Sequence, residues 1–325
     1  VAKKRRTRDE YSENGIAGRR PDRNVSVYCK ALKRLFPNVP VIAGGIEASL
    51  RRLSHYDYWS DSVMHSILFD APADLIIYGM GENPVFELIK AADRGIPLDK
   101  IRNIRGTAYL TDIASASEKV RRAVNVGDDS EYIVVSSHER VKSDKKLYCK
   151  AFMTAYENTD PSCSKGIIQK QDRERYVVVN PPALPLTEKQ MDYVYSIEYA
   201  RAPHPMYESV PAIEEVKFSV TAHRGCFGNC SFCALTYHQG RQISKRSADS
   251  ILREVETLAQ DKDFKGYVHD IGGPSANFHI NSCAKDGKRG TECKNRDCVG
   301  YKTCPAVKPD HSEYLDILRR ARKIK

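Results

Sequence analysis

No apolar stretch in these 325 residues approaches the roughly 18 that a membrane-spanning helix needs. A helical membrane protein is therefore excluded. The opening Val1-Ala2-Lys3-Lys4-Arg5-Arg6 is basic but lacks the apolar segment that follows the charges of a secretory signal. No RNA-recognition motif of known type is present. A small disulfide scaffold is also excluded. The ten cysteines sit in clusters within a long chain, which favours metal binding in a reducing, cytoplasmic setting.

What is present suits a globular chain. Hydrophobic residues make up 41% and charged residues 29%, and the length allows two domains with a sizeable core. Lys and Arg exceed Asp and Glu by 52 to 42, a net charge of +10. Such a balance can attract RNA. The excess is spread along the chain, however, so solvated surface charge is the favoured reading and RNA is not.

The most informative run is Thr221-Ala-His-Arg-Gly-Cys-Phe-Gly-Asn-Cys-Ser-Phe-Cys233. It holds Cys226, Cys230 and Cys233 in a C-x3-C-x2-C spacing. A structural zinc site is closed by four ligands, and cubane iron–sulfur clusters usually take four thiolates. Three thiolates leave one metal position open for a ligand that is not protein. Spacing alone leaves open a zinc ribbon or reduced structural thiols.

The flanking pattern favours a reactive site. Val216, Phe218 and Val220 alternate with Lys217 and Ser219 as in a strand. Ser247 reads as a helix N-cap with Asp249 in the first turn, and Ile251, Leu252, Val255, Leu258 and Ala259 recur at helical spacing. A second strand, Tyr267-Val-His-Asp-Ile271, ends in Gly272-Gly273-Pro274. Strand, cysteine loop, helix, strand and Gly-Gly form a βαβ order with parallel strands. That order puts the loop and the Gly-Gly turn at the edge of the sheet where βα barrels carry their active sites.

The cysteine loop, with Phe232 just before its third cysteine, resembles the cluster loop of radical S-adenosylmethionine (SAM) enzymes. Further runs narrow the resemblance: Ala-Gly-Arg-Arg-Pro-Asp (17–22), Ala-Gly-Gly-Ile-Glu-Ala-Ser-Leu-Arg-Arg-Leu (43–53), His-Tyr-Asp-Tyr-Trp-Ser-Asp (55–61), Tyr-Gly-Met-Gly-Glu (78–82), His-Gln-Gly-Arg (238–241) and Asp-Ile-Gly-Gly-Pro-Ser-Ala-Asn (270–277). Together they resemble the YgiQ-type radical SAM proteins, whose substrate is unassigned. The resemblance implies a [4Fe-4S] cluster on Cys226, Cys230 and Cys233, with SAM on the fourth iron. It implies one-electron cleavage of SAM to a 5′-deoxyadenosyl radical that acts on an unknown substrate. It also implies an electron donor such as flavodoxin or ferredoxin. Phe232 would pack beside the SAM adenine. Gly272, Gly273 and Pro274 would approach its amino group, with Pro274 where the family usually has Glu. The competing class is a zinc-stabilised nucleic-acid-binding protein without catalysis.

Residues 1–205 read as an α/β domain. A helix over 25–36 places Val27, Ala31, Leu32 and Leu35 on one face. Val39, Val41 and Ile42 make a short strand ending in Gly44-Gly45. Ala73-Asp-Leu-Ile-Ile-Tyr78 makes another, ending in Gly79-Met80-Gly81, and a helix follows over 84–94. This alternation predicts a parallel sheet with ligands at its carboxyl edge. It resembles the flavodoxin-like, cobalamin-binding module found ahead of many radical SAM domains. No Asp-x-His-x-x-Gly run supplies the usual lower cobalt ligand, so cobalamin is left unassigned. Asp57, Trp59 and Asp61 are read as lining an interdomain pocket. Further on, one helix is expected over 113–126, strands over 132–136 and 176–180, and a helix opened by Thr187.

Residues 206–325 read as the start of a partial (βα) barrel. Ninety-two residues follow Cys233, about two βα units where a full barrel takes about 250 residues. The polypeptide is accordingly expected to be a fragment lacking the true N-terminus and the C-terminal part of the barrel. A Cys-rich insertion at 281–305 carries Cys283, Cys293, Cys298 and Cys304. They are candidates for a second metal site, equally an iron–sulfur cluster or a tetrahedral zinc, with thiols of a plain loop as the remaining reading. Cys29, Cys149 and Cys163 read as structural thiols. A last helix begins at Asp310-His311-Ser312, with Tyr314, Leu315, Leu318 and Ala321 along one side.

Overall fold

The computed structural model describes residues 7–228, 230–273, 277–279, 283, 293, 298–299, 302–308 and 310–324. Its first part alternates helices and strands: α1 (Asn24–Leu35), β1 (Ile42–Ala43), α2 (Gly45–Leu50), the short strands β2 (His55–Asp57) and β3 (Ser62–Met64), α3 (Ile67–Asp70), β4 (Leu75–Ile77), α4 (Glu82–Asp93) and β5 (Thr107–Asp112). Then come α5 (Glu118–Val126), β6 (Tyr132–Val135), α6 (His138–Ser143), α7 (Lys145–Glu157), β7 (Gly166–Lys170), β8 (Arg175–Val179) and α8 (Glu188–Ser196).

Six strands form one sheet in the order β1-β4-β5-β8-β7-β6. The expected parallel sheet is mixed. β1 with β4 and β6 with β7 are parallel, whereas β4–β5, β5–β8 and β7–β8 are antiparallel. The reason is local for the last pair. Only Gln171–Glu174 join β7 to β8, and so short a connection allows antiparallel pairing alone. Asp172 fixes this turn by accepting from the backbone N–H of Glu174 and Arg175 and from the Arg175 guanidinium. Both faces of the sheet are covered. One carries Val41, Ala43, Ile76, Ala108, Ile167 and Val177, and the other Leu75, Ile77, Tyr109, Ile168 and Val178.

Several elements depart from the sequence expectation. The helix of 113–126 starts only at Glu118, because Ser117 caps it by accepting from Val120 N–H, and strand β5 precedes it. β7 and α7 arise in a stretch for which no element was expected. α1 turns Ser26 and Cys29 inward, while Val27, Leu32 and Leu35 are exposed.

The second part comprises α9 (Pro211–Val216), β9 (Ser219–Thr221), β10 (His223–Arg224), α10 (Leu235–Gln239), β11 (Ser244–Lys245), α11 (Ala248–Ala259), β12 (Asp270–Gly272) and α12 (Ser312–Ala321). β9 and β12 pair in parallel across α11, the expected βαβ unit. Val216 belongs to α9, so the first strand begins at Ser219. Ser247 caps α11 by accepting from Ser250 N–H at 3.2 Å. Val220, Ala222, Ile251, Val255, Leu258, Ile271, Tyr314 and Ile317 form the core. In α12 Ile317 faces inward and Leu315 outward, because α12 lies on α11 along the Tyr314–Ile317 side. Arg246, fully buried, ties this core together through Ser250, Glu254 and the Thr221 carbonyl. The two parts meet closely: Arg224 pairs with Glu82, and Asp192 accepts from Ser247 N–H at 2.9 Å.

Candidate functional site

The cysteine loop leaves β10 at Gly225. Its φ of +89° is one that only glycine adopts without strain, and a Cβ there would fall well inside contact distance of the Gln242 carbonyl. The sequence reading overlooked Gly225, and its place directly before the first cysteine was the available signal. Cys226 is then held on both sides of its peptide. Its N–H donates to Gly240 O at 3.1 Å, and its carbonyl accepts from Thr236 Oγ1 at 2.9 Å. The side chain is 7% exposed. Gly228 N–H donates to Cys226 Sγ at 3.4 Å.

A Cβ on Gly228 would lie 3.4 Å from Cys226 Sγ and 3.9 Å from Cys230 Sγ, so both sulfurs border one side of that residue. Cys233 closes a turn by donating from its N–H to Cys230 O at 3.0 Å. None of the three cysteines is in a disulfide, and Cys230 is exposed and Cys233 half-buried. Among the described residues no three His, Cys, Asp or Glu side chains gather as a ready ion site. The sulfurs of Cys226 and Cys230 thus both lie near Gly228, and the chain turns between Cys230 and Cys233. The donor set still fits an iron–sulfur cluster: free thiols, two of them over a residue without a side chain. Phe232, 91% exposed, projects from the same loop.

Gly272 and Gly273 end β12 beneath this loop. A Cβ on Gly273 would overlap the imidazole of His223, which lies buried in β10. His223 Nε2 accepts from Phe278 N–H at 3.2 Å, and the Phe278 ring packs on Phe227 at 4.1 Å between centroids. Close approach of strand end to histidine thus explains glycine at 273. Pro274 lies outside the described residues. Of the second group, Cys283 forms a bridge with Val307, and Cys304 N–H donates to Cys298 O at 3.0 Å. Cys283, Cys293, Cys298 and Cys304 are all half-buried, and none is in a disulfide. Most of the chain between them lies outside the described residues.

A cleft of about 650 Å³ opens beside the cysteine loop. Cys230, Ser231, Phe232, Cys233 and Ala234 line one wall together with Tyr237, and the first part of the chain supplies the rest. There the rings of Phe152 and Tyr156 on α7 and Tyr237 on α10 stack within 6.3 Å of one another. Behind Tyr237, the Arg52 guanidinium is held between its ring and that of Tyr78, 4.5 and 4.4 Å away. Ser54, His55 and Gln169 make the polar part of the lining.

Asp57, Trp59 and Asp61 do not line this cleft; their neighbours His55 and Tyr56 do. Asp57 is buried and accepts from Ser60 and Arg23, which holds its carboxyl below the usual range against the opposing effect of burial. Asp61 accepts from Tyr56 Oη. His138 stacks on His65 with 3.4 Å between centroids, and His65 stacks in turn on Phe69 at 4.8 Å. Burial, then the neighbouring His65, pushes the His138 pKa down to about 4, and burial does the same to His55. Sequence reasoning missed this group. Gln169 in β7 and Gln171 just after it, both buried, were its only trace.

A second, apolar cleft of about 430 Å³ lies at the carboxyl ends of β1 and β4. Gly44, Gly45, Gly79 and Gly81 line it with Ile42, Ile77 and Val85, so both glycine-rich turns fall together where the sheet predicts. No described helix is long and apolar enough to cross a membrane.

A family model described as Radical SAM N-terminal matches residues 1–219. A UPF0313 protein of Clostridium botulinum is 50% identical over 328 aligned positions, covering 100% of this chain and 48% of that protein. One from Methanocella arvoryzae is 43% identical, covering 99% of this chain and 52% of that protein. The chain thus spans about half the length of the curated relatives it matches. Among solved structures it is similar to TsrM from Kitasatospora setae, a radical S-adenosylmethionine methyltransferase determined with cobalamin and a [4Fe-4S] cluster bound. That likeness is 15% identical with a TM-score of 0.38, covers 77% of this chain and 33% of that chain, and carries no argument here.

Proposed function

The chain belongs to the uncharacterised, YgiQ-type radical SAM family of UPF0313 proteins, and on that premise we propose that it is an enzyme whose Cys226, Cys230 and Cys233 hold a [4Fe-4S] cluster. When bound, the cluster supplies the electron that cleaves SAM to a 5′-deoxyadenosyl radical, which takes a hydrogen from a substrate. The observation that carries this reading is the cysteine loop itself: free thiols, two bordering Gly228, on the wall of a large cleft.

The residues divide the work. Cys226 is fixed by the bonds of its peptide to Gly240 and Thr236, so its sulfur would set where a cluster sits. Cys230 and Cys233 are the accessible ligands. Phe232 is reserved for the adenine of SAM, since burying a Phe side chain is worth about 2–3 kcal/mol and this one stands in solvent. Gly272, Gly273 and Pro274 are the residues assigned to the SAM amino group. Cys283, Cys293, Cys298 and Cys304 are reserved for a second cluster or zinc. The electron donor is a flavodoxin- or ferredoxin-like protein, and the setting is cytoplasmic. We divide the chain into an α/β domain, 1–205, and the start of the barrel, 206–325.

The test is SAM cleavage by protein purified without oxygen and reduced with dithionite, read as 5′-deoxyadenosine and methionine. Cys230→Ala is expected to abolish it, because three thiolates are needed to hold the cluster. Cleavage retained in that variant would overturn the assignment. Zinc in place of iron, with no cleavage, would favour the nucleic-acid-binding class.

A further inference from the structure

Building on the reading that substrate meets the cysteine loop in the 650 Å³ cleft, we propose that the substrate part seated there is an uncharged planar ring whose edge carries both a hydrogen-bond donor and an acceptor, as in an aromatic amide or a neutral heterocycle. Three independent features of the cleft lead to it.

The first is charge. Charged residues are 29% of the chain, yet none is among the side chains lining the cleft in the described structure. A carboxylate, phosphate or ammonium moved there would lose its water and meet no counter-charge. The second is shape. Tyr156 and Tyr237 lie nearly parallel, 7° apart, and Phe152 is within 28° of both. Flat, roughly aligned faces favour a flat guest stacked on them.

The third is the polar edge, which the hydrogen bonds determine atom by atom. A backbone N–H only donates, so the Gln169 atom 2.8 Å from Ser54 N is Oε1, and the Gln171 atom 2.9 Å from Ser66 N is likewise Oε1. Gln171 Nε2 then spends its two hydrogens on Gln169 Oε1 at 3.1 Å and Ser54 Oγ at 3.3 Å. Ser54 Oγ also pairs with His138 Nδ1 at 3.1 Å, and burial lowers the His138 pKa to about 4, which leaves the ring neutral. Gln169 Nε2 gives one hydrogen to Ser136 O at 3.0 Å and keeps one. His55 contacts Leu53 O through Nδ1 at 3.2 Å, which makes Nδ1 the donor and leaves the Nε2 lone pair. Along the edge formed by Ser54, His55 and Gln169, what remains for a guest is one N–H and one acceptor.

The Ser54–His138 contact has the form of an activated nucleophile. An imidazole held near pKa 4 is too weak a base for that work at neutral pH, so this edge recognises a guest and does not attack it.

The test is binding of small probes by saturation-transfer NMR: benzamide, its anionic counterpart benzoate, and the non-planar cyclohexanecarboxamide. Benzamide is expected to bind in the cleft, benzoate at least about tenfold more weakly because its charge is stranded, and cyclohexanecarboxamide about fivefold more weakly because it cannot stack. Phe152→Ala, at a half-exposed position, should weaken benzamide about fivefold without unfolding the chain. Gln169→Leu should weaken benzamide and spare toluene. Absence of benzamide binding, benzoate bound as tightly, or affinity untouched by Phe152→Ala would overturn the proposal. The probes need neither iron nor SAM. Failure of the cluster assignment therefore leaves this result standing, and failure here with SAM cleavage intact sinks the ring specificity alone.

Discussion

Cys226 and His138 mark the two ways a residue acquires a role in this molecule. Cys226 was legible because its spacing to Cys230 and Cys233 lies within eight residues, and the loop that bears them is local. His138 was not, since its partners Ser54 and His65 come from distant parts of the chain and meet it only in the fold. Its surroundings have a measurable consequence. His55 and His138 titrate near 4 in the folded protein, against an ordinary value of about 6.5. Between pH 4 and 6.5 the unfolded chain binds more protons at these two positions than the folded one. Stability from this source is complete above pH 6.5 and is lost as pH falls toward 4. Urea midpoints between pH 4.5 and 7.5 should fall on acidification, and the slope should flatten in His55→Gln/His138→Gln. A slope unchanged by that double replacement would contradict the burial account of both histidines.

The elements follow the same division. The βαβ unit of β9, α11 and β12 was legible because its signals are dense: alternating apolar residues, a serine cap, a helical stripe and a Gly-Gly stop. β5, β7 and α7 were missed. α7 opens with Lys145, Lys146 and Lys150 exposed, and its apolar residues Phe152 and Met153 face the cleft instead of the core, so no amphipathic stripe betrays it. α1 shows the converse: its apolar stripe was read correctly as a stripe, but the sheet takes the Ser26–Cys29 side. The β10–β11 pair rests on one backbone device. Gly225→Ala should cost at least about 2 kcal/mol from positive φ and the blocked Gln242 carbonyl, and should lower iron retention with it. Denaturation showing a change below about 0.5 kcal/mol, the range of an ordinary surface site, would show that the loop tolerates a side chain there.

At the scale of the whole molecule, the six-stranded sheet with its helices and the cysteine loop meet along one cleft. The mixed six-stranded sheet and α7 provide the aromatic and polar walls, and the second part provides the cysteine loop. Arg224–Glu82, Gln242–Asp160 and Asp192–Ser247 hold the parts in register. The α/β class was legible in the sequence, but the antiparallel centre of the sheet was not, because strand direction in β5 and β8 is decided by connections whose turn signals were passed over. The account as a whole stands on the three thiols of that loop carrying iron. The most direct measurement is iron and acid-labile sulfide content of protein purified without oxygen, with low-temperature EPR after reduction in the presence and absence of SAM. About four irons and four sulfides per chain, with a spectrum altered by SAM, are predicted, rising to about eight of each if Cys283, Cys293, Cys298 and Cys304 hold a second cluster. Zinc without iron, or an iron signal indifferent to SAM, would contradict the account.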